Sequence, residues 1–302
     1  MARPPRALDT RRPFTRAQGL AAGITPARLR GTAFRRVLPG VYVDASAARR
    51  PHERVEAALL VHPEPAYVSH TSAARVYGLP VPRELTEEHI TVFRRQDRRN
   101  RRGVRSHLAP ASGSTTRLSG IRLSTPDQLF LEMATLLNLV DLVVLGDDMV
   151  ARRLTTPEGL VRAAAASTGN HSRKARRAAG LVRPEVDSPM ETRLRLLLVL
   201  AGLPEPRINH KIYEKGRLLY RFDLSYPGLR LAVEHDGRQH RDDDDQWDAD
   251  IDRDDWLDHH DWMIVKVFSR GVYREPAKTI ERVRRAILAR GGRVPRRLSE
   301  EW

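Results

Sequence analysis

The sequence contains no cysteine, and that absence removes several kinds of chemistry. Disulfide bonds, thiolate metal sites and cysteine nucleophiles are excluded, whereas the redox compartment is left open. The chain also lacks the roughly 18 consecutive apolar residues that a membrane span needs, since its best candidate, Leu136 to Leu145, is broken by Asn138 and Asp141. The basic N-terminus is not followed by an apolar segment, so it does not fit a secretory signal. We therefore expect a cytoplasmic protein with no membrane partner.

Motifs of several enzyme classes are missing as well. The chain has no Gly-x-x-x-x-Gly-Lys phosphate loop and no Gly-x-Ser-x-Gly nucleophile elbow. The pairs His259-His260, and His235 with His240, have neither cysteines nor a second closely spaced histidine pair beside them. Zinc ligation by these residues is therefore disfavoured.

What the chain has in abundance is positive charge, with 53 Lys+Arg against 38 Asp+Glu and a formal net charge of +15. Such a surplus favours attraction to a polyanion, most often nucleic acid, through steering and counterion release. The alternative is an arginine-rich composition that serves solubility alone, and charge does not separate the two. With 302 residues, 40% of them hydrophobic, the chain is long enough for two or three domains with their own cores.

The first fifty residues alternate helix starts with turns. Thr15 can cap a helix that runs to about Ala22, and Thr25-Pro26 begins a second helix that ends at Arg30. Two short strands follow around Pro39-Gly40, which gives the helix, turn, helix and hairpin of a winged helix-turn-helix. The alternative is a small helical cap on the next domain. The candidate DNA contacts are Arg28 and Arg30 on the second helix and Arg35 and Arg36 on the wing.

The residues after this segment favour a middle α/β region. Helices are predicted from Pro51 to His62 and from Ser72 to Tyr77, and a strand from His89 to Phe93. Arg94 to Arg105 is a basic loop, either a solvated hairpin tip or a phosphate-contacting loop. Small and basic residues from Ala163 to Gly180 indicate a helix end and a linker. The predicted domains are 14–50, 51–165 and 188–290, with the linker at 166–187.

From Ser188 onward the pattern changes to that of a separate α/β domain. Ser188-Pro189 starts a helix, and Glu191 is in position to complete a capping box. Two strands follow, Leu219 to Tyr226 and Leu229 to Glu234. A further helix, the apolar strand Trp262 to Phe268 and a closing amphipathic helix give the order αββαβα, and we expect that last strand to be central.

Acidic residues stand in the two strands where apolar or neutral residues are usual. With a two-residue loop at Pro227-Gly228, Asp223 faces Ala232. Because side chains alternate along a strand, four residues then project from one side: Asp223, Ala232, Glu234 and Asp236. Carboxylates this close raise one another's pKa unless a cation sits among them. Oxygen ligands of this kind suit Mg²⁺ or Mn²⁺, which can activate water and neutralise charge on a phosphodiester.

Two further residues fit the same chemistry. Glu191, at the start of the preceding helix, can add a ligand directly or through water. His240 can act as a general acid or base toward the water or the leaving group. The alternatives are that Glu191 is only a capping residue and that the strand acids lie on a solvated edge. The candidate catalytic residues are Glu191, Asp223, Glu234, Asp236 and His240, and the candidate metal ligands are Asp223, Glu234 and Asp236.

The helix residue Glu191, the pair Phe222-Asp223 and the stretch Glu234 to Gly237 with His240 resemble the Vsr-like branch of the PD-(D/E)XK nuclease superfamily. Members of that branch carry a helix Glu, an Asp on a strand and then E-x-D-G-x-x-H. The similarity spans roughly residues 188–288. It implies a restriction-endonuclease-like domain that uses a divalent metal.

Two features depart from the superfamily pattern. Asp236 stands where Lys is usual, although in the Vsr-like branch a His takes over part of that role, which places weight on His240. The run Asp242 to Asp245 adds negative charge nearby, as a mobile gate, an extra cation site or a solvated insertion.

In the first half, the segments FTRAQGLAAGITPARLRGTAFRRVLPGVYV and SHTSAARVYGLPVP resemble the N-terminal region of AbiEi-type antitoxins from type IV toxin–antitoxin systems. The similarity covers roughly residues 14–165. It implies a winged helix that binds promoter DNA, and a toxin encoded elsewhere becomes a candidate partner. Winged-helix proteins often pair on symmetric sites, so an oligomer is compatible with this pattern.

The sequence thus predicts a mixed α/β protein with a winged helix-turn-helix, a middle α/β region and a restriction-endonuclease-like domain. Its predicted function is divalent-metal-dependent hydrolysis of DNA. The rival is a non-catalytic transcriptional regulator or antitoxin that keeps only the nuclease fold, and the missing Lys and the Asp run favour it. A third alternative is a structural protein bound to an acidic partner.

Overall fold

The computed structural model describes residues 7–110, 113–214, 216–236 and 256–299, and the fold is mixed α/β, as predicted. The chain divides into two compact units. The first comprises Met1–Asn138 and Glu158–Ala179, and the second comprises Leu139–Pro157 and Gly180–Trp302. The chain therefore passes from one unit to the other three times, and neither unit is a single continuous segment.

The first unit begins with two short helices and a small antiparallel sheet. The elements are β1 (Phe14–Thr15), α1 (Arg16–Ala21), α2 (Pro26–Arg30), β2 (Phe34–Leu38) and β3 (Val41–Asp44). Thr15 caps α1 and Thr25 caps α2, both as predicted. The strand order is β1-β3-β2. Phe14 and Phe34 meet edge to face at 5.4 Å in the apolar cluster between the helices and this sheet.

A mixed five-stranded sheet forms most of the remaining first unit. Its elements are α3 (Glu53–Leu60), β4 (Tyr67–Val68), α4 (His70–Val76), β5 (Glu88–Val92), β6 (Val104–Leu108), β7 (Thr115–Leu118), β8 (Ile121–Ser124), α5 (Pro126–Met133), α7 (Pro157–Ala166) and α8 (Ser172–Leu181). The order is β6-β5-β4-β8-β7. The predicted linker at 166–187 contains α8, so this segment is not simply a linker.

Helix α3 links the two sheets of the first unit. It contacts β1 and β2 of the small sheet and β4 and β5 of the larger one. The Arg35 guanidinium on β2 donates two hydrogen bonds, of 2.5 and 2.7 Å, to the Glu53 carboxylate on α3. Such a bidentate ion pair fixes the relative orientation of the two side chains as well as the distance between them. The predicted region 14–50 and most of the predicted region 51–165 therefore belong to the same unit, whereas residues 139–157 belong to the second unit.

The second unit contains a four-stranded sheet with helices packed against it. Its elements are α6 (Leu139–Ala151), α9 (Pro189–Leu200), β9 (Arg207–Glu214), β10 (Arg217–Tyr226), β11 (Leu231–His235), α10 (residues 256–259), β12 (Met263–Val267), α11 (Ser269–Tyr273) and α12 (Pro276–Ala289). The sheet order is β12-β11-β10-β9. Strands β9, β10 and β11 are antiparallel neighbours, and β12 runs parallel to β11.

Two expectations about this sheet were wrong. Strand β9 precedes the predicted pair, so three antiparallel strands follow α9 rather than two. Strand β12, expected at the centre, lies at an edge of the described sheet. Strand β12 is apolar because both of its faces are packed. Val265 and Val267 lie in the core with α9 and α12, and Ile264 packs against a second apolar cluster.

Helix α6 belongs to the second unit because a buried ion pair holds it to α9. Arg195 on α9 is 1% exposed and donates to the Asp147 carboxylate on α6 at 3.1 Å. The same carboxylate accepts hydrogen bonds from the Thr192 hydroxyl at 2.8 Å and from the Arg183 backbone N–H at 2.8 Å. A buried carboxylate needs such partners to offset its lost hydration.

None of the helices in the described ranges has the length and apolar composition to cross a membrane.

Candidate carboxylate site in the second unit

The loop that joins β10 to β11 is longer than predicted. Residues Pro227–Leu229 form a 3₁₀ turn, and Arg230 closes it with a left-handed φ of 47°. The register consequently pairs Tyr226 with Leu231. The prediction of a two-residue loop with Asp223 facing Ala232 was wrong, because Pro227 starts a longer turn. The register ends with Leu224 opposite Val233, so Asp223 and Glu234 are the residues that directly follow the last pair.

The alternation of side chains changes at Asp223. Phe222 packs with Ala232 in one apolar cluster, whereas Leu224 packs in the cluster shared with α9 and α12. The two residues that flank Asp223 therefore enter different clusters, although strict alternation would put them on one face. The opposite residue on β9, Asn209, has a left-handed φ of 46°. The predicted sharing of one face by Asp223 and Ala232 does not follow from this backbone.

Asp223 lies at the point where the β10–β11 ladder ends. The backbone N–H of His235 donates to Asp223 Oδ2 at 2.9 Å, so the carboxylate takes the place of the next main-chain acceptor. A hydrogen bond from N–H to a carboxylate favours its ionised form. The His235 ring is 3.1 Å from the Ser269 hydroxyl on α11. Asp223 is therefore held in a defined place beside β11.

Glu191 approaches the same place from the start of α9. Its backbone N–H donates to Ser188 Oγ at 3.2 Å, and its carboxylate accepts from the Asp187 N–H at 3.1 Å. The predicted capping box is thus half formed, because the return bond goes to Asp187 instead of Ser188. The Asn209 amide lies 3.5 Å from the same carboxylate oxygen. Burial is the main cause that raises the pKa of Glu191, and the charge of Asp223 raises it further.

Glu234 lies near the end of β11, and Asp236 directly follows the strand. Both side chains are half-buried and both take part in interactions. The Asp236 backbone N–H donates to the Val267 carbonyl at 2.9 Å, which continues the pairing with β12. Lys266 on β12 is the register partner of Glu234, so it stands beside the acid in the sheet. Lys266 was not among the predicted site residues, although it is the only charged residue within the apolar strand Met263–Val267.

Several predicted features lie outside the described residues. His240, Gly237 and the run Asp242 to Asp245 are among them. Within the described ranges, the fold brings Asp223 near Glu191 and to the end of β11. It does not gather three acidic ligand atoms within 4.8 Å of one another in those ranges.

The predicted DNA contacts in the first unit fall into two groups. Arg28, Arg30 and Arg36 are exposed. Arg35 is engaged by Glu53, and this ion pair raises the pKa of its guanidinium. Three of the four arginines thus present their charge to solvent.

The basic loop of the first unit borders an open hollow of about 520 Å³. Its lining includes Arg98, Arg101, Arg102 and Arg105. Arg105 forms an ion pair of 3.0 Å with Glu87, and Arg98 donates to the Ser106 carbonyl. This part of the surface combines fixed guanidinium groups with solvent access, which suits contact with phosphate.

Comparison with known proteins gives only distant relatives. The chain is similar to two curated proteins of Mycobacterium tuberculosis, "Uncharacterized protein MT2308" of strain CDC 1551 / Oshkosh and "Uncharacterized protein Rv2248" of strain H37Rv. Each is 30% identical over 106 residues, which is 33% of this chain and 36% of the relative. The chain thus spans about a third of the length of these relatives. No family profile matches it, and no solved structure matches it.

Proposed function

We propose that this is a cytoplasmic DNA-binding protein whose second unit hydrolyses DNA phosphodiester bonds with Mg²⁺ or Mn²⁺. The observation that carries the proposal is the position of Asp223. Its carboxylate is fixed by the His235 N–H at the end of β11, and its charge acts on Glu191 at the start of α9. A helix acid, Glu191, and a strand acid, Asp223, are thus close to each other at one end of the sheet.

The order of elements in the second unit supports the same function. Helix α9 precedes three antiparallel strands, and β12 then runs parallel to β11. This order agrees with the restriction-endonuclease-like arrangement that the resemblance implies, with β9 as an additional strand. A fold alone does not define an activity, so the acids carry the proposal.

The donor chemistry fits a hard divalent cation. Asp223, Glu234 and Asp236 would hold the ion, with Glu191 close by, because carboxylate oxygens are the ligands that Mg²⁺ and Mn²⁺ prefer. The bound ion would lower the pKa of a water molecule and offset charge on the phosphodiester. The chain itself positions Asp223 through the His235 N–H. Lys266, beside Glu234 in the sheet, adds a positive charge near the acids.

DNA binding is supported by the first unit. Arg28 and Arg30 are exposed on α2, Arg36 is exposed on β2, and four arginines of the basic loop line the hollow. Exposed guanidinium groups bind phosphates and release counterions, which supplies affinity without sequence specificity.

Nicking of supercoiled plasmid by the full chain tests this proposal. Wild-type protein is compared in Mg²⁺, in Mn²⁺ and in chelator with Asp223→Asn and Glu191→Gln, which keep size and remove charge. Glu281→Gln is the matched control, because this acid lies on α12, where it pairs with Arg285. The expected result is metal-dependent nicking that Asp223→Asn abolishes and Glu281→Gln preserves. Nicking that is equal in Asp223→Asn and wild type would refute the assignment.

A regulator without catalytic activity is the second candidate function. Two observations favour it: the described acids do not bring three ligand atoms together, and Asp236 stands where a Lys is usual. It would bind promoter DNA through the first unit, with a toxin encoded elsewhere as its partner. Tight, salt-sensitive DNA binding without cleavage in either metal, unchanged in Asp223→Asn, would support the regulator.

A further inference from the structure

Three histidines that are far apart in sequence meet in the first unit. His70 begins α4, His89 lies on β5 and His107 lies on β6. One ring nitrogen from each lies within 4.8 Å of the other two. His89 Nδ1 and His107 Nε2 are 2.9 Å apart, and the rings of His70 and His107 are stacked with centroids 3.8 Å apart. This group is the histidine cluster.

Polar side chains next to His70 orient its ring in the histidine cluster. The Ser69 hydroxyl lies 3.0 Å from His70 Nδ1 and accepts from the Thr91 hydroxyl at 2.8 Å. Ser69 is the N-cap residue of α4, yet its side chain makes no capping bond. A residue type that ordinarily caps a helix is used here to hold an imidazole.

The buried acid Glu132 on α5 completes this shell. Its Oε2 accepts from the His70 backbone N–H at 3.0 Å and lies 3.9 Å from His70 Nδ1. Oε2 also accepts from the Ser124 hydroxyl at 2.7 Å, and the other carboxylate oxygen, Oε1, accepts from the Gln128 amide at 3.3 Å. Burial raises the pKa of Glu132 to about 7. Glu132 thus holds the His70 main chain through a hydrogen bond and places a carboxylate beside the His70 ring.

The backbone at His70 is in an uncommon conformation. Its φ of 50° lies in the left-handed region, where a residue with a side chain pays a steric cost. Such a conformation persists only where the surroundings fix it, and it is frequent at ligand-binding positions. Here the Glu132 carboxylate accepts a hydrogen bond from the His70 N–H. In this conformation the His70 ring lies against the rings of His89 and His107.

The ring nitrogens of the histidine cluster are close enough together to be compared with those of a zinc site. In a tetrahedral zinc site with Zn–N bonds near 2.05 Å, ligand nitrogens are about 3.3 Å apart. In the histidine cluster the ring nitrogens lie within 4.8 Å of one another, and His107 is half-buried, which provides access.

We propose that His70, His89 and His107 form a binding site for one divalent transition-metal ion, with Zn²⁺ as the ion they fit best. Imidazole nitrogens suit Zn²⁺, whereas Mg²⁺ prefers oxygen ligands. The ion cross-links α4 to strands β5 and β6, and Glu132 is a positioning residue that offsets its charge. This site is independent of the proposed nuclease chemistry, which uses carboxylates of the second unit.

Calorimetric titration of the full chain with ZnCl₂ tests the site, using protein without a histidine tag. We expect one equivalent of Zn²⁺ per chain. His107→Gln should weaken the affinity by at least about 100-fold, and Glu132→Gln by about 10–100-fold. His171→Gln is the matched control, since this histidine is exposed and outside the cluster, and it should bind as wild type does. Zn²⁺ affinity that is equal in His107→Gln and wild type would overturn the site.

Two measurements keep the test decisive if His107→Gln does not fold. His89→Gln removes a different ligand and is titrated in the same way. In addition, wild-type protein loaded with Co²⁺ should show the intense visible absorption of a tetrahedral nitrogen site. Free Zn²⁺ at 100 times its Kd should raise the folded-to-unfolded ratio of the wild-type protein about 100-fold. A weak octahedral Co²⁺ spectrum with no thermal stabilisation by Zn²⁺ would show a neutral core cluster that binds no metal.

Discussion

The histidine cluster of the first unit and the acids Asp147 and Asp223 of the second unit are stabilised in opposite ways. In the first unit, His70, His89 and His107 are kept neutral by burial, and they stack on one another. In the second unit, Asp147 is buried against the guanidinium of Arg195, and Asp223 is only half-buried and held by a backbone N–H. An imidazole can lose its proton at neutral pH and be buried uncharged. A carboxylate is ionised at that pH, so it needs a cation, a hydrogen-bond donor or water beside it. The comparison explains why neutral ligands can be packed without a metal while acids require partners.

The largest expected effect separates the two sites completely. Asp223→Asn should lower Mg²⁺-dependent nicking by at least about 100-fold, because loss of a ligand exceeds the loss seen for outer-shell partners, yet it should leave Zn²⁺ affinity unchanged. His107→Gln should do the reverse. Nicking assays and zinc titrations on both proteins make the comparison. A variant that loses both activities while remaining folded would break the distinction between the sites.

The buried charge pair of the second unit provides the next largest effect. Arg195→Met leaves the Asp147 carboxylate buried without its cation, and we expect a loss of about 3–5 kcal/mol in the free energy of unfolding. Urea denaturation followed by circular dichroism measures it. The double variant Asp147→Leu with Arg195→Met should recover much of the loss, because neither charge is then buried. A double variant as unstable as Arg195→Met would contradict this account.

Arg35 and Arg36 are adjacent arginines of the first unit with different surroundings. Arg36 is exposed, so Arg36→Ala should reduce the slope of log K against log salt for DNA binding by about 1. Arg35 is held by Glu53, so Arg35→Ala should lower stability more than it changes that slope. Fluorescence anisotropy over a range of salt concentrations measures the slopes. Equal slopes for Arg36→Ala and wild type would remove Arg36 from the DNA interface.

The smallest expected effect is a pH dependence from His62. Its Nδ1 is 2.7 Å from the Ala58 carbonyl and its Nε2 is 2.7 Å from the Ser106 hydroxyl. Burial lowers the pKa of His62, and the charges of Arg101 and Arg99 lower it further. The unfolded chain therefore takes up a proton before the folded protein does, and stability falls as the pH drops below about 6.5.

His62→Gln should make this loss of stability shallower between pH 7 and pH 5. Urea denaturation at several pH values gives the slope, and His171→Gln serves as the control because that ring is exposed. An unchanged slope in His62→Gln would mean that the folded protein accepts the proton at His62 as readily as the unfolded chain.

Local features of the fold were predictable from sequence because they depend on neighbouring residues. The caps Thr15, Thr25 and Ser188 and the helices they start were all confirmed. The register of β10 and β11 was not, because Pro227-Gly228 fits both a two-residue and a four-residue loop and only cross-strand packing selects between them.

The sites differ in how much of them the sequence could predict. Asp223, Glu234 and Asp236 lie within 14 residues of one another, so their proximity was predictable from a hairpin. The histidine cluster joins residues from a helix and two strands through non-local pairing, and β6 itself was not predicted. The histidines themselves were visible in the sequence, His70 at the start of α4, His89 on β5 and His107 on β6. Their spacing along the chain does not predict that their rings come into contact.

The position of α6 in the sequence, before the rest of the second unit, has a consequence for protein synthesis. Asp147 precedes its partner Arg195 by 48 residues. At a translation rate of about 5–20 residues per second, α6 emerges roughly 2–10 s before the helix that neutralises it. During that interval its carboxylate must stay hydrated, and the second unit cannot close around it. Strands β1 to β8 of the first unit all precede α6 in the sequence, so they are already synthesised and can pair during this interval.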